Sequence, residues 1–183
     1  MDNLEGVVAR ATQGDKEAFA KLYDEYIKKI YNFIYYKTHH KETAEDLTSI
    51  TFTKAWKNIE SFNKGSIQAW LYTIARNTVI DHYRTVKQDK NIDDVWDLSS
   101  NTDIAMDADT VLKVEDVKKY LQDIAPIQRD IVIMRVWQDL SYKEIAEITG
   151  KSEANCKVIY SRAISKLKLK MPIVVFIAFL FLK

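Results

Sequence analysis

Asn155, Lys157, Ser161 and Arg162 are the side chains whose types and spacing best suit a chemical task. Wound as a helix, they fall on one arc with Val158, just past Ser152. Asparagine reads adenine edges and arginine reads guanine edges or phosphates, so the arc carries base-reading chemistry. Behind it, Cys156, Tyr160, Ala163 and Leu167 recur at helical spacing as an inward stripe. Upstream, Ser141 and Glu144 make a capping box that starts one helix. Gly150 marks a turn, and Ser152 can cap the next helix by accepting an orphan backbone N–H. Helix, glycine turn and polar second helix are the sequence form of a helix-turn-helix, whose second helix enters the major groove. Lys151, Lys157, Arg162, Lys166, Lys168 and Lys170 stand against Glu153 alone in residues 151–170, a balance suited to a phosphate backbone. A merely solvated face would explain the polar arc alone, but not the caps, the turn and the stripe together.

A second group is Asn63, Lys64, Gly65 and Ser66, followed by Arg76, Asn77, Asp81, His82 and Arg84. A loop bearing an amide and a lysine beside aromatics can hold an unstacked base, because stacking and edge hydrogen bonds offset extrusion. A surface loop beside a core tryptophan explains the same residues equally well. Trp56 and Trp70 read as core, and His82 as solvated or phosphate-contacting. His39 and His40 are adjacent at a helix end, so they point apart, and no third ligand has the spacing of a metal site. No Gly-rich phosphate loop, paired-carboxylate motif or Gly-x-Ser-x-Gly elbow occurs. The expectation is therefore no catalysis, no metal and no cofactor.

These residues need elements to position them. The chain has 183 residues, 47% of them apolar, enough for real cores. Four Gly, two Pro and scarce β-branched alternation predict an all-α protein. One cysteine leaves no disulfide framework, and the N-terminus lacks the basic-then-apolar order of a signal peptide. A reducing cytoplasm fits both. Gly14 and Asp15 look like a helix start, followed by Phe19, Leu22, Tyr23, Tyr26, Ile27, Ile30, Phe33 and Ile34 at helical spacing, with a break at residues 38–40. A second helix from about Lys41 buries Ala44, Leu47, Phe52, Ala55 and Trp56, and a loop over 58–66 follows. A third runs from Ile67 to about Arg84, with Trp70, Leu71, Ile74, Ala75, Thr78 and Val79 inward.

The spacing thus predicts two small helical domains. Residues 1–88 form the first. Residues 89–110 form a flexible linker, where six aspartates face no cation from 91 onward. Residues 111–170 form the second, with a short helix from Val111 to Leu121 and another opened by Pro126, favoured at a first helical position. Residues 171–183 are an apolar tail, Pro172 to Leu182 without a charge. As a helix it reaches only about 16 Å, too short for a hydrocarbon core near 30 Å. Docking on the chain's own domains is the first reading of the tail. A membrane contact beside the lysine block, a partner, or a shifted reading frame are the others.

The run Ala44 to Leu47 with Phe52, Ala55 and Trp56, followed by the run Ala69 to Arg84, resembles the promoter-melting domain of sigma-70-family factors. The likeness is to their small extracytoplasmic-function class and covers about residues 4 to 170. It implies an alternative sigma factor that binds core RNA polymerase, recognises two promoter elements and helps melt the DNA. By that resemblance, Glu45, Asp46, Leu47, Phe52 and Trp56 would dock on the clamp helices of the β′ subunit. Asn63, Lys64, Gly65 and Ser66 would capture a flipped base of the minus-ten element. Arg76, Asn77, Asp81 and Arg84 would touch its upstream part. Ser152, Asn155, Lys157, Val158, Ser161 and Arg162 would read the minus-thirty-five element, with their domain on the β flap. The acidic linker would thread toward the RNA exit path, where carboxylates suit a cationic channel. An anti-sigma factor is the further partner implied. Three places depart from the family pattern: apolar Ile50 after Ser49, uncharged Gln68 and Thr73, and apolar Val158 and Ile159. The rival reading is a stand-alone helix-turn-helix regulator whose first domain senses a ligand or dimerises.

Overall fold

The computed structural model describes residues 3–63, 65–89 and 123–181, with Val117, Tyr120 and Leu121. The chain divides into two compact units, Met1–Thr102 and Asp103–Lys183. All regular structure among the described residues is helical.

In the first unit, α1 (Leu4–Ala11) packs on α2 (Lys16–Thr38), and α2, α3 (Lys41–Asn58) and α4 (Ile67–Asp89) pack against one another. The core is built from stripes at helical spacing: Leu22, Ile30, Phe33 and Ile34 of α2, Ala44, Leu47 and Phe52 of α3 and Leu71, Tyr72 and Val79 of α4 are all buried where these helices pack. Buried Thr48 and Thr51 would be costly without partners. Each hydroxyl donates to the carbonyl four residues back, at 2.6 Å.

The caps fix where these helices begin. Asp15 Oδ1 accepts from the backbone N–H of Glu17 and Ala18 at 2.9 and 3.1 Å. His40 does the same for α3: its Nδ1 accepts from the Thr43 N–H at 3.2 Å. Losing a cap costs about 1 kcal/mol. His40→Ala is therefore expected to lower the urea midpoint of this unit by that amount, while His40→Asn, whose amide oxygen can take the same N–H, keeps most of it. Equal losses for the two would show that the ring is not acting as a cap.

In the second unit, α5 (Pro126–Val136), α6 (Tyr142–Thr149) and α7 (Glu153–Lys170) enclose a core of Val132, Val136, Ala163 and Leu167 with Val117, Leu121 and Ile124. Arg129, nearly buried, donates from Nε to the Leu121 carbonyl at 2.8 Å and so closes off the helical residues before it. The tail folds as α8 (Ile173–Phe181), set off from α7 by extended Met171 and by Pro172. Phe179 is fully buried in this core and meets Trp137 edge to face at 5.3 Å. Among the described residues of the tail, Met171, Val175, Phe176 and Phe179 thus pack on the chain's own second unit. Among the described residues no helix is long and apolar enough to cross a membrane.

Several expectations are corrected. Helix α1 was not expected, and α4 continues to Asp89, beyond Arg84. The loop after α3 contains a 3₁₀ turn, Ile59–Ser61. Tyr23 is 41% exposed rather than inward, and Trp56 and Trp70 are only half-buried. Of the linker expected over 89–110, Asp89 belongs to α4 and residues 90–110 lie outside the described residues, as does most of the helix expected from Val111, though Val117, Tyr120 and Leu121 are helical.

Candidate nucleic-acid interface

The helix-turn-helix is assembled by local hydrogen bonds. Ser141 Oγ accepts from the Glu144 N–H at 3.2 Å, and Glu144 Oε2 accepts from the Ser141 N–H at 2.9 Å, a closed capping box. Gly150 turns the chain at φ +67°, a left-handed conformation that glycine adopts without the Cβ penalty. Ser152 Oγ then accepts from the Asn155 N–H at 3.2 Å and launches α7. Beneath the turn, Cys156 is fully buried, its sulfur 3.7 Å from Thr149 Oγ1. Asn155, Lys157, Val158, Ser161 and Arg162 are all exposed, so the arc anticipated from spacing does face outward.

Its electrostatics were not legible from spacing. Lys157 Nζ lies 2.7 Å from Glu153 Oε1, one turn back, and 5.6 Å from the centre of the Tyr142 ring. The Arg135 guanidinium covers the same ring at 5.1 Å, and Tyr160 meets it edge-on at 5.9 Å. Burial, then the neighbouring Tyr142 hydroxyl, raises the Tyr160 pKa above its ordinary value, against a lowering pull from Arg135. This cluster stiffens the start of the arc and holds one of its cations close to a carboxylate.

In the first unit, Asn63 and Gly65 are exposed and Ser66 is half-buried. Gly65 takes φ +102°, and Ser66 Oγ accepts from the Ala69 N–H at 3.2 Å to start α4. Lys64 lies outside the described residues. Phe62 and Trp70 face each other with ring centres 5.5 Å apart, next to the bend. Trp70, Asn77, Asp81 and Arg84 share one face of α4, because seven residues are close to two turns. Along the axis that face runs about 21 Å from Trp70 to Arg84. Arg76 is half-buried and points off it. Asp81 is 3.6 Å from Lys54 on α3, and Lys54 also donates to Thr78 Oγ1 at 3.3 Å. One lysine thereby fastens the α4 face to α3. His82 is half-buried and burial lowers its pKa, which favours the neutral ring over a phosphate-binding cation.

On α3, Glu45 and Asp46 are exposed. Leu47 and Phe52 are each only 4% exposed, buried as the helical spacing predicts. They seat α3 in its own unit. Phe52 packs edge-on against Tyr23 at 4.7 Å, and Trp56 against Phe19 at 4.9 Å. Between α2 and α3 open two clefts of about 390 and 480 Å³ that share Tyr23, one edged by Tyr31, Glu45 and Ser49 and the other by Phe19 and Trp56. Reading α3 alone misses this wall of α2. The signal available was the run of tyrosines at positions 23 and 31, too polar at one end to be pure core.

Two family models match the chain. Sigma-70 region 2 covers residues 22–88, and Sigma-70, region 4 covers residues 115–167. RNA polymerase sigma factor YlaC of Bacillus subtilis is 36% identical over 166 residues, which span 85% of this chain and 93% of that protein. ECF RNA polymerase sigma factor BldN of Streptomyces coelicolor is 36% identical over 171 residues, 91% of this chain but 65% of that longer protein. Among solved structures, the sigma factor RpoE of Bartonella quintana, crystallised with the anti-sigma factor NepR, matches with a TM-score of 0.69 and 28% identity. That match covers 82% of this chain and 94% of the other.

Proposed function

Because the chain belongs to the sigma-70 family of RNA polymerase sigma factors, in the extracytoplasmic-function class, we propose a division of labour between its two units. The protein is an alternative sigma factor: it binds core RNA polymerase, recognises promoter DNA and promotes its opening. The first unit, residues 1–88, takes the minus-ten element, and the second, residues 111–170, takes the minus-thirty-five element. Residues 89–110 tether them. Catalysis stays with the polymerase, and the site of action is the cytoplasm. RpoE was solved with an anti-sigma factor; an anti-sigma partner is accordingly part of the proposal.

The observation that carries this reading over a stand-alone regulator is the exposed face of α4 beside the Phe62–Trp70 pair. A ligand-sensing or dimerising domain has no need of an aromatic pair, an amide-bearing bend and a polar helical face in one line. A melted strand does, since extruded bases gain from stacking and edge hydrogen bonds. Polymerase would then meet the exposed carboxylates of Glu45 and Asp46 and the Tyr23-lined clefts, with Trp56 at their rim. On this view Leu47 and Phe52 position α3 without touching the partner.

Reconstituted transcription tests the proposal. Core polymerase plus the purified chain should start at a promoter that core alone ignores, and absence of any promoter-dependent start would overturn it. Within that assay, Asn63→Ala removes one base-edge hydrogen bond, worth about 1 kcal/mol or roughly fivefold in open complex. Polymerase binding should be unchanged while permanganate reactivity of the bubble falls. A fall in polymerase affinity instead would remove Asn63 from the DNA side.

A further inference from the structure

After Glu153 the chain contains no acidic residue at all. Residues 154–183 carry Lys157, Arg162, Lys166, Lys168, Lys170 and Lys183. Within this stretch the sequence of α8 is apolar throughout, and its described side chains divide between two sides. Val175, Phe176 and Phe179 pack on the core of the second unit. Ile173 and Ile177, one turn apart on the other side, are 75% and 51% exposed, and Leu169 in the last turn of α7 is 89% exposed. Single exposed aliphatics are ordinary. Two on one face of a helix without a single polar residue, directly after a lysine-rich turn, are a surface with a preferred environment.

We propose that α8 and the lysine-bearing end of α7 form an interfacial anchor for an anionic bilayer, with Ile173 and Ile177 at the acyl boundary and Lys168 and Lys170 among the headgroups. The charge pattern selects this occupant. A second copy of the chain would set one all-cationic segment against another, and such a symmetric contact repels itself. A surface of acidic phospholipids complements both the lysines and the aliphatics. Length fits as well: nine residues make about 13 Å of helix, enough to lie in the interface and far short of crossing about 30 Å of hydrocarbon. Lys166 and Lys170 are held by Asp123, through its carbonyl and its carboxylate, each at 2.6 Å. The Lys170–Asp123 pair is half-exposed, and pairs of that kind exchange readily for another anion. The anchor is weak by itself, so association is reversible.

Flotation of the full chain with vesicles tests this without polymerase or DNA, so its outcome is independent of the promoter reading. Binding to phosphatidylglycerol-rich vesicles should exceed binding to pure phosphatidylcholine by about tenfold, the size expected for one or two lysines at an anionic surface. Ile173→Asp with Ile177→Asp should reduce it about tenfold more. Both positions are exposed, so helicity by circular dichroism should be unchanged. Lys168→Glu should weaken binding to the anionic vesicles alone. Equal binding by parent and Ile→Asp chains, or no preference for acidic lipid, would overturn the proposal. So would a concentration-dependent dimer in sedimentation that the Ile→Asp pair abolishes, since that gives the face to a second copy.

Discussion

Arg162→Ala should weaken binding of the polymerase holoenzyme to a minus-thirty-five duplex by about 1–3 kcal/mol, roughly five- to somewhat over a hundredfold, the size of a lost bidentate base contact. Lys157→Ala, on the same arc, loses only a few-fold. The difference comes from Glu153. With its carboxylate 2.7 Å from the Lys157 ammonium, that cation reaches DNA only after leaving an existing partner, whereas no acidic residue follows Arg162 along the chain. Glu153→Gln should accordingly tighten binding, by removing a negative charge at the entry to the groove. Anisotropy titrations across a salt series separate these effects. If Arg162 meets a phosphate instead of a base, its loss lowers the slope of log affinity against log salt by about one and is uniform across sequences. Equal losses at 157 and 162, or no change on Glu153→Gln, would remove the pairing from any account of specificity.

Tyr72→Ala destabilises the first unit by about 3–5 kcal/mol, the usual consequence of deleting a large buried aromatic. Tyr72 is fully buried at the crossing of α2 and α4, with Phe33 edge-on at 5.2 Å, and that pair adds to simple area burial. Tyr72→Phe keeps the ring and should lose far less. Because the chain has two units, urea unfolding of the alanine variant should split into two transitions, with the first unit melting early. Binding of the second unit to duplex DNA should survive while promoter opening fails. A single transition with a loss below about 1 kcal/mol would mean that the site refills, as cores that collapse well can do.

What was legible in the sequence was whatever short-range chemistry controls. The capping box of Ser141 and Glu144, the left-handed Gly150 and the Ser152 cap are all settled within four residues, and each stands as expected. The inward stripe of Cys156, Ala163 and Leu167 follows from helical periodicity alone. Helix α1 escaped notice because eight residues bury only Val7 and Ala11, too few for a pattern. The start of α3 was anticipated but not its cause, since histidine is a rare helix cap. Pairings between helices were out of reach in principle. Lys54 with Asp81 joins α3 to α4, and nothing in either segment announces the other. Leu47 and Phe52 were legible as core, since apolar side chains at helical spacing belong inside, and both are buried.

Cys156 is the chain's one thiol, and it is sealed under the turn of the DNA-reading motif. A maleimide or disulfide dye can reach it only in molecules whose motif has come apart. Labelling speed under native conditions is therefore a stopwatch for that opening, with no second sulfur to blur the signal. A promoter duplex that grips the folded motif should slow the clock in proportion to its occupancy.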